Sequence, residues 1–159
     1  MEIRRDDPGA PHVAGLLTHH LTELRGHMAE FAFALDATGL SAPDVTFWTA
    51  WRDERLVGLV ALKQLDDRHG EVKSMRAAPE ARGTGVGRAL LNHVVAEASA
   101  RGYDWLSLET GTADLHAPAL ALYRSAGFID TGAFADYRPS PHNQFLTLRL
   151  RESRCQHSS

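Results

Sequence analysis

The sequence predicts one mixed α/β domain, a sheet with helices around it, and three observations carry that expectation. Strand-like runs joined by short turns occupy residues 45–77. The apolar pattern then switches from a strand-like period to a helical one over residues 86–98, and returns to alternation at Trp105–Thr110. Finally, 159 residues with 43% hydrophobic and 23% charged side chains have the size and makeup of a single globular domain. A chain this long buries roughly 70% of its unfolded surface, enough for a sizeable core.

Each element has its own reason. Met1 to Asp7 is charged and leads into no apolar signal core, so no secretion signal is expected and a cytoplasmic protein is. Between Pro11 and Leu35 apolar side chains recur at helical spacing, with Leu17, Leu21, Leu24, Met28 and Phe31 among them. Gly26 leaves open whether this is one helix or two, and Gly39–Pro43 reads as a loop. Val45–Trp51 and Leu56–Leu62 are rich in β-branched, aromatic and apolar residues, and Arg52–Arg55 is a tight connection between them. Asp66–Gly70 reads as a second turn and Glu71–Ala77 as a third strand, which together make an antiparallel meander.

Val86, Leu90, Leu91, Val94, Val95 and Ala98 fall on one side of a helix that Gly102 would end. In Trp105–Thr110, Leu106 and Leu108 share one face while Ser107 and Glu109 share the other. A second helix is expected from about Ala117 to Ala126, with Pro118 in its first turn and Gly127 past its end. Phe128–Thr131 and Gln144–Leu150 read as the last strands. Strand, helix, strand from Glu71 to Thr110 is a crossover unit, so those two strands should run parallel. Residues 1–152 are read as the domain and 153–159 as a disordered tail.

Charge and composition exclude several classes. With 17 basic and 20 acidic residues the net charge is -3, without the basic excess of a nucleic-acid binder. No apolar run approaches the ~20 residues that span a bilayer, so no membrane partner is expected. Cys155, the single cysteine, precludes an intrachain disulfide and a multi-cysteine zinc site, and reads as a spectator thiol. His19, His20 and His27 are not read as a metal set, and no metal is expected.

The chemistry concentrates in Arg82-Gly83-Thr84-Gly85-Val86-Gly87-Arg88, between a strand and an amphipathic helix. Three glycines in five residues permit positive φ and close approach of a ligand to the backbone. Converging amides and the helix start make an anion site suited to a phosphate or pyrophosphate, with Arg82 and Arg88 at its edges. No lysine follows the glycines as a Walker loop requires. The spacing and the preceding meander also depart from the dinucleotide fingerprint. A plain glycine-rich turn remains the alternative on spacing alone.

The segment Pro79 to Leu91 resembles the acetyl-coenzyme A loop of the GNAT acyltransferases, whose [RQ]-x-x-G-x-[GA] pattern Arg82, Gly85 and Gly87 satisfy. Ala119-Leu120-Ala121-Leu122-Tyr123-Arg124-Ser125-Ala126-Gly127-Phe128 is similar to that family's A-x-x-L-Y-x-x-x-G-F signature. The resemblance covers about residues 45–150. Leu108-Glu109-Thr110-Gly111 and Asp136-Tyr137-Arg138-Pro139 also resemble a branch of short bacterial acetyltransferases with no secure acceptor.

The resemblance implies a mixed, mostly antiparallel sheet whose central parallel pair splays into a V that takes acetyl-CoA as co-substrate. Main-chain groups of Met75, Arg76 and Ala77 would pair with the pantetheine arm, and amides from Arg82 to Arg88 would hold the pyrophosphate. The implied activity is direct attack of an amine on the thioester, with Tyr123 as general acid to the leaving thiolate. Bases differ across the family; Glu109, ending the second splayed strand, is the first candidate here and Glu71 the second, with a water chain as the alternative. His116 stands where many members have a cofactor-contacting asparagine, and is assigned to cofactor binding. Tyr137 and Arg138 are assigned to the mouth of an acceptor pocket, where Arg138 suits a small amine carrying a carboxylate, such as an amino acid. Two other readings stay open: an acyl-CoA-binding sensor without turnover, and acetylation of protein N-termini or lysines. The resemblance also allows a homodimer paired through strands.

Overall fold

The computed structural model describes residues 1–13, 40 and 42–150. The helices expected between Leu17 and Leu35, His19, His20 and His27, and the tail with Cys155 lie outside the described residues. Seven strands form one sheet in the order β1-β2-β3-β4-β5-β7-β6. They are β1 (Glu2–Arg5), β2 (Val45–Arg52), β3 (Arg55–Asp66), β4 (His69–Ala77), β5 (Trp105–Gly111), β6 (Ile129–Thr131) and β7 (Asn143–Arg149). Two α-helices, α1 (Val86–Ala100) and α2 (Ala117–Ser125), follow β4 and β5 respectively. All strand pairs are antiparallel except β4 with β5.

The meander forms as its sequence suggests. β2 and β3 are joined by Asp53 and Glu54, both at positive φ (52° and 65°), the pattern of a type I′ hairpin turn. β4 begins at His69, two residues before its expected start, because His69 and Gly70 pair with both Asp66 and Gln64 of β3 and Trp105 and Leu106 of β5. β1 was not legible: it has one apolar residue, Ile3, and is held by pairing along β2 and by Arg4 stacked 4.3 Å over the Trp51 ring.

Leu62 pairs with Val72 and Ala61 with Ser74, so Lys73 is an extra residue that bulges β4. The bulge flips the alternation. Val72 shares a face with Leu62, but Met75, opposite Val60, takes over that face beyond it. Glu71, Ser74 and Arg76 therefore share the other face.

The two faces have separate cores. On one, Leu90, Leu91, Val94 and Ala98 of α1 pack with Val60, Leu62, Val72, Leu106, Leu108 and Leu146 of the sheet. Burying each such Leu or Val side chain stabilises the fold by about 1.5–3 kcal/mol. On the other, Phe47, Leu59 and Ala61 pack with Val13 and Leu40. A Cβ on Gly58 would lie 2.8 Å from the Arg76 carbonyl oxygen and 2.9 Å from both Leu90 and Val86, so a glycine lets the start of α1 sit tight on β3.

The feature that positions a site is the end of the parallel pairing. β4 and β5 are in register from His69–Trp105 to Val72–Leu108 and no further. β4 continues beside β3 to Ala77, and β5 beside β7 to Gly111. The sheet is thus split by a V between Lys73–Ala77 and Glu109–Gly111.

Candidate active site

One arm of the V leads to the glycine loop. Gly83 and Gly85 have φ of 79° and 88°, a region that costs other residues about 1–2 kcal/mol. Gly85 is the N-cap of α1 and supplies no side-chain cap, so the first amides of a 15-residue helix point outward with its positive dipole end. A Cβ at Gly83 or Gly85 would meet nothing within 4 Å, so the loop's outer side has room for a ligand. Val86 is 1% exposed and anchors the helix start in the core, while Gly87 packs its backbone near Leu122.

Cations surround this cradle. Arg88 donates to Ser125 Oγ at 3.1 Å, tying α1 to α2. Arg52, which no sequence pattern singled out, donates to Thr84 Oγ1 at 3.0 Å. Thr84 Oγ1 in turn donates to the Ala81 carbonyl, bracing the loop from inside. Burial and the neighbouring charge of Arg82 bring the Arg76 guanidinium down to about 10. The cradle is thus open on its outer side with arginines about it, a setting that favours an anion. Met75, Arg76 and Ala77, all half-buried, lie along the stretch of β4 whose β5-facing edge has no strand partner among the described residues.

The other predicted residues divide between the faces of the sheet. Tyr123 projects from α2 into the helix-side core, 7% exposed, with its ring 5.8 Å from Phe128. Burial pushes its hydroxyl up to about 12, so it keeps its proton at neutral pH. No described residue hydrogen-bonds that hydroxyl. His116 caps α2, half-buried, with its amide donating to the Ala113 carbonyl at 2.9 Å.

Glu71 and Glu109 lie on the opposite face. Glu71 is 2% exposed and accepts a short hydrogen bond from the Tyr137 hydroxyl. Lys73 Nζ donates to the same hydroxyl at 3.1 Å and stands 3.9 Å from Glu71. Burial raises the Glu71 carboxyl above its ordinary range, and Lys73 and the Tyr137 bond oppose that rise. Burial also raises Glu109, with the charge of Glu71 adding to it and an Asn143 hydrogen bond opposing it. Tyr137 is pushed far up by burial and by both carboxylates, so it stays a donor.

Sequence reasoning brought Glu71, Glu109 and Tyr137 forward and missed Lys73 and Asn143. Lys73 owes its place to the bulge, which leaves no mark in the apolar pattern. Asn143 braces the loop between β6 and β7: its Oδ1 accepts from the Ser140 amide and hydroxyl, and its Nδ2 donates to the Arg138 carbonyl at 3.1 Å. Arg138 itself is exposed, one residue beyond Tyr137, and its side chain does not join the Glu71 cluster.

Beside that cluster the rings of Phe134, Tyr137 and Phe145 pack together, and Phe134 also lines an open groove of about 570 Å³. His69, Ser107 and Thr147 line its floor, linked Nε2···Oγ at 2.7 Å and Oγ···Oγ1 at 2.9 Å. Among the described residues no cluster of three metal-binding side chains occurs, and no helix is long and apolar enough to cross a membrane.

Comparison with known proteins agrees with this geometry. Residues 12–128 match the family model described as Acetyltransferase (GNAT) family. The chain is 44% identical over 152 residues to the uncharacterized N-acetyltransferase YedL of Escherichia coli, covering 95% of this chain and 96% of that protein. It is 38% identical over 152 residues to the IAA acetyltransferase of Azospirillum brasilense, covering 93% and 97%. Among solved structures, one from Klebsiella pneumoniae assigned to the acyl-CoA N-acyltransferases superposes with a TM-score of 0.78 at 26% identity, covering 94% and 97%. A GNAT family acetyltransferase from Elizabethkingia anophelis with acetyl-CoA bound shares the fold, with a TM-score of 0.67 at 19% identity and coverage of 94% and 97%. The split parallel pair, the glycine cradle and these matches along nearly the whole chain make this protein a member of the GNAT acetyltransferase family, an acyltransferase.

Proposed function

We propose that the protein transfers an acetyl group from acetyl-CoA to a primary amine of a small molecule, by direct attack on the thioester in the V between β4 and β5. The observation that carries this reading is the split itself. Tyr123 and Glu109 sit on opposite faces of a sheet, and the V is the opening through which both faces reach one reacting centre.

In this reading the residues from Arg82 to Arg88 hold the pyrophosphate by their amides and charges, and Arg52 stiffens the loop through Thr84. The free edge of Met75, Arg76 and Ala77 pairs with the pantetheine amides, and His116 contacts the cofactor from the start of α2. The amine nitrogen bonds to the carbonyl carbon and the C–S bond breaks. Tyr123 gives its hydroxyl proton to the departing sulfur, and Glu109 takes the surplus proton of the nitrogen. The raised carboxyl of Glu109 suits a base, because its proton affinity is nearer the working pH. Tyr137 forms the acceptor wall, and Arg138 stands outside it as the contact for an anionic group remote from the amine.

The presence of a single cysteine in the chain suits a cytoplasmic setting. A homodimer would use a free sheet edge, and Ile129 on edge strand β6 is 62% exposed. CoA release from acetyl-CoA over a panel of primary amines tests the reading. Turnover on at least one small amine supports it. Acetyl-CoA binding without turnover on any amine or peptide would replace it with the sensor.

A further inference from the structure

A buried hydroxyl beside the V has no partner in the fold. Ser74 is 5% exposed, and its Oγ is closed to water without a hydrogen bond to any described residue. Buried hydroxyls are as a rule bonded, so an unmet one marks a group kept for a partner that the free fold does not supply. The other polar groups nearby on that face bond one another. Glu71 accepts from the Tyr137 hydroxyl and feels the charges of Lys73 and Lys63. The Lys73 ammonium donates to the same Tyr137 hydroxyl at 3.1 Å. Ser74 pairs with Ala61 of β3 on one side, while its other edge belongs to the stretch of β4 that β5 has left. Across the split, Glu109 is the first residue of the β5 arm.

On the reading of the V as the transfer site, a cofactor that enters from the glycine cradle and pairs with Ala77, Arg76 and Met75 reaches Ser74 next, at the end of its pantetheine arm. We propose that the Ser74 hydroxyl donates a hydrogen bond to the carbonyl oxygen of the bound acetyl thioester, as a further residue of that site. When the amine nitrogen bonds to the carbonyl carbon, the C=O electron pair shifts onto this oxygen. The hydroxyl stabilises the charge there without giving up its proton. The pair returns as the C–S bond breaks and the thiolate leaves. A donor fixed in place and kept from water is most effective here, because it needs no rearrangement as the charge develops. Ser74 and Glu109 then act from the two arms of the V, the hydroxyl on the oxygen and the carboxylate on the nitrogen.

The test uses acetyl-CoA isotopically labelled at the carbonyl carbon, bound to the full-length wild-type protein and to Ser74→Ala. Infrared difference spectra should place the carbonyl stretch at lower frequency in the wild type, because a hydrogen bond to the oxygen weakens the C=O bond. On an amine that is turned over, Ser74→Ala should lower kcat by on the order of 10²-fold, the usual cost of losing one such donor, with the KM for acetyl-CoA little changed. Without ligand its melting temperature should be equal or higher, since alanine leaves no buried hydroxyl unmet. The same carbonyl frequency in both proteins, a lower melting temperature of the variant, kcat retained in full, or no binding of acetyl-CoA to either protein would each overturn the proposal. A shifted band without turnover on any amine would sustain it while removing the proposed transfer activity. Turnover with an unmoved band would remove the role of Ser74 and leave the transfer, so the two fail separately.

Discussion

Glu109 and Glu71 illustrate how one side chain sets another's chemistry. Burial raises Glu109, and the neighbouring charge of Glu71 raises it further. A base must be deprotonated to act, so kcat should fall as pH drops through the Glu109 value, with an acid limb above the ordinary carboxylate range. Glu71→Gln removes the neighbouring charge and should move that limb to lower pH, although burial persists. A pH profile of kcat for the two proteins checks this; an unmoved limb would place the titration elsewhere. The face that carries Glu109 was legible from the alternation in Trp105–Thr110, whereas Glu71 came forward only as a second candidate on the neighbouring strand. The bond of Tyr137 to Glu71 was not legible, since it depends on a loop whose course is set by Asn143, not by any periodic pattern.

Among the elements, two turns with positive φ carry opposite kinds of residue. Gly83 satisfies its positive φ without strain and has open space where a Cβ would stand. Gly83→Ala should therefore lower stability by only about 1–2 kcal/mol, from backbone strain, while weakening acetyl-CoA binding as the methyl enters the cradle. Denaturant unfolding and a cofactor titration separate the two effects. The β2–β3 turn instead places Glu54 at φ 65°. Glu54→Gly relieves that strain at some cost in unfolded-chain entropy, so a net stabilisation of about 0.5–1 kcal/mol is expected, read as a higher melting temperature. The glycine loop, α1, α2 and the meander were legible because period, caps and turns agree there. β1 and the Lys73 bulge were not, since edge pairing and an extra residue are settled by the neighbouring strand.

For the whole molecule, the sheet is continuous at one end and split at the other, so each arm of the V is braced by its own neighbour, β3 or β7. A ligand that bridges the arms should stabilise both. Acetyl-CoA at about 100 times its dissociation constant should add about 2.7 kcal/mol to unfolding, visible as a concentration-dependent rise in melting temperature. The parallel order of β4 and β5 followed from the crossover helix. The residue at which they part is a matter of register, and it appears only in the folded sheet.

In the proposed transfer, groups from the two faces act on one thioester through the split. CoA release from acetyl-CoA, over the amine panel, for the wild-type protein and Tyr123→Phe tests this. Tyr123→Phe should lower kcat by about 10²–10⁴-fold, the usual contribution of a positioned acid, with the KM for acetyl-CoA little changed. Wild-type turnover retained in full by Tyr123→Phe would rule out that role, because the helix-side face would then contribute packing and no chemistry.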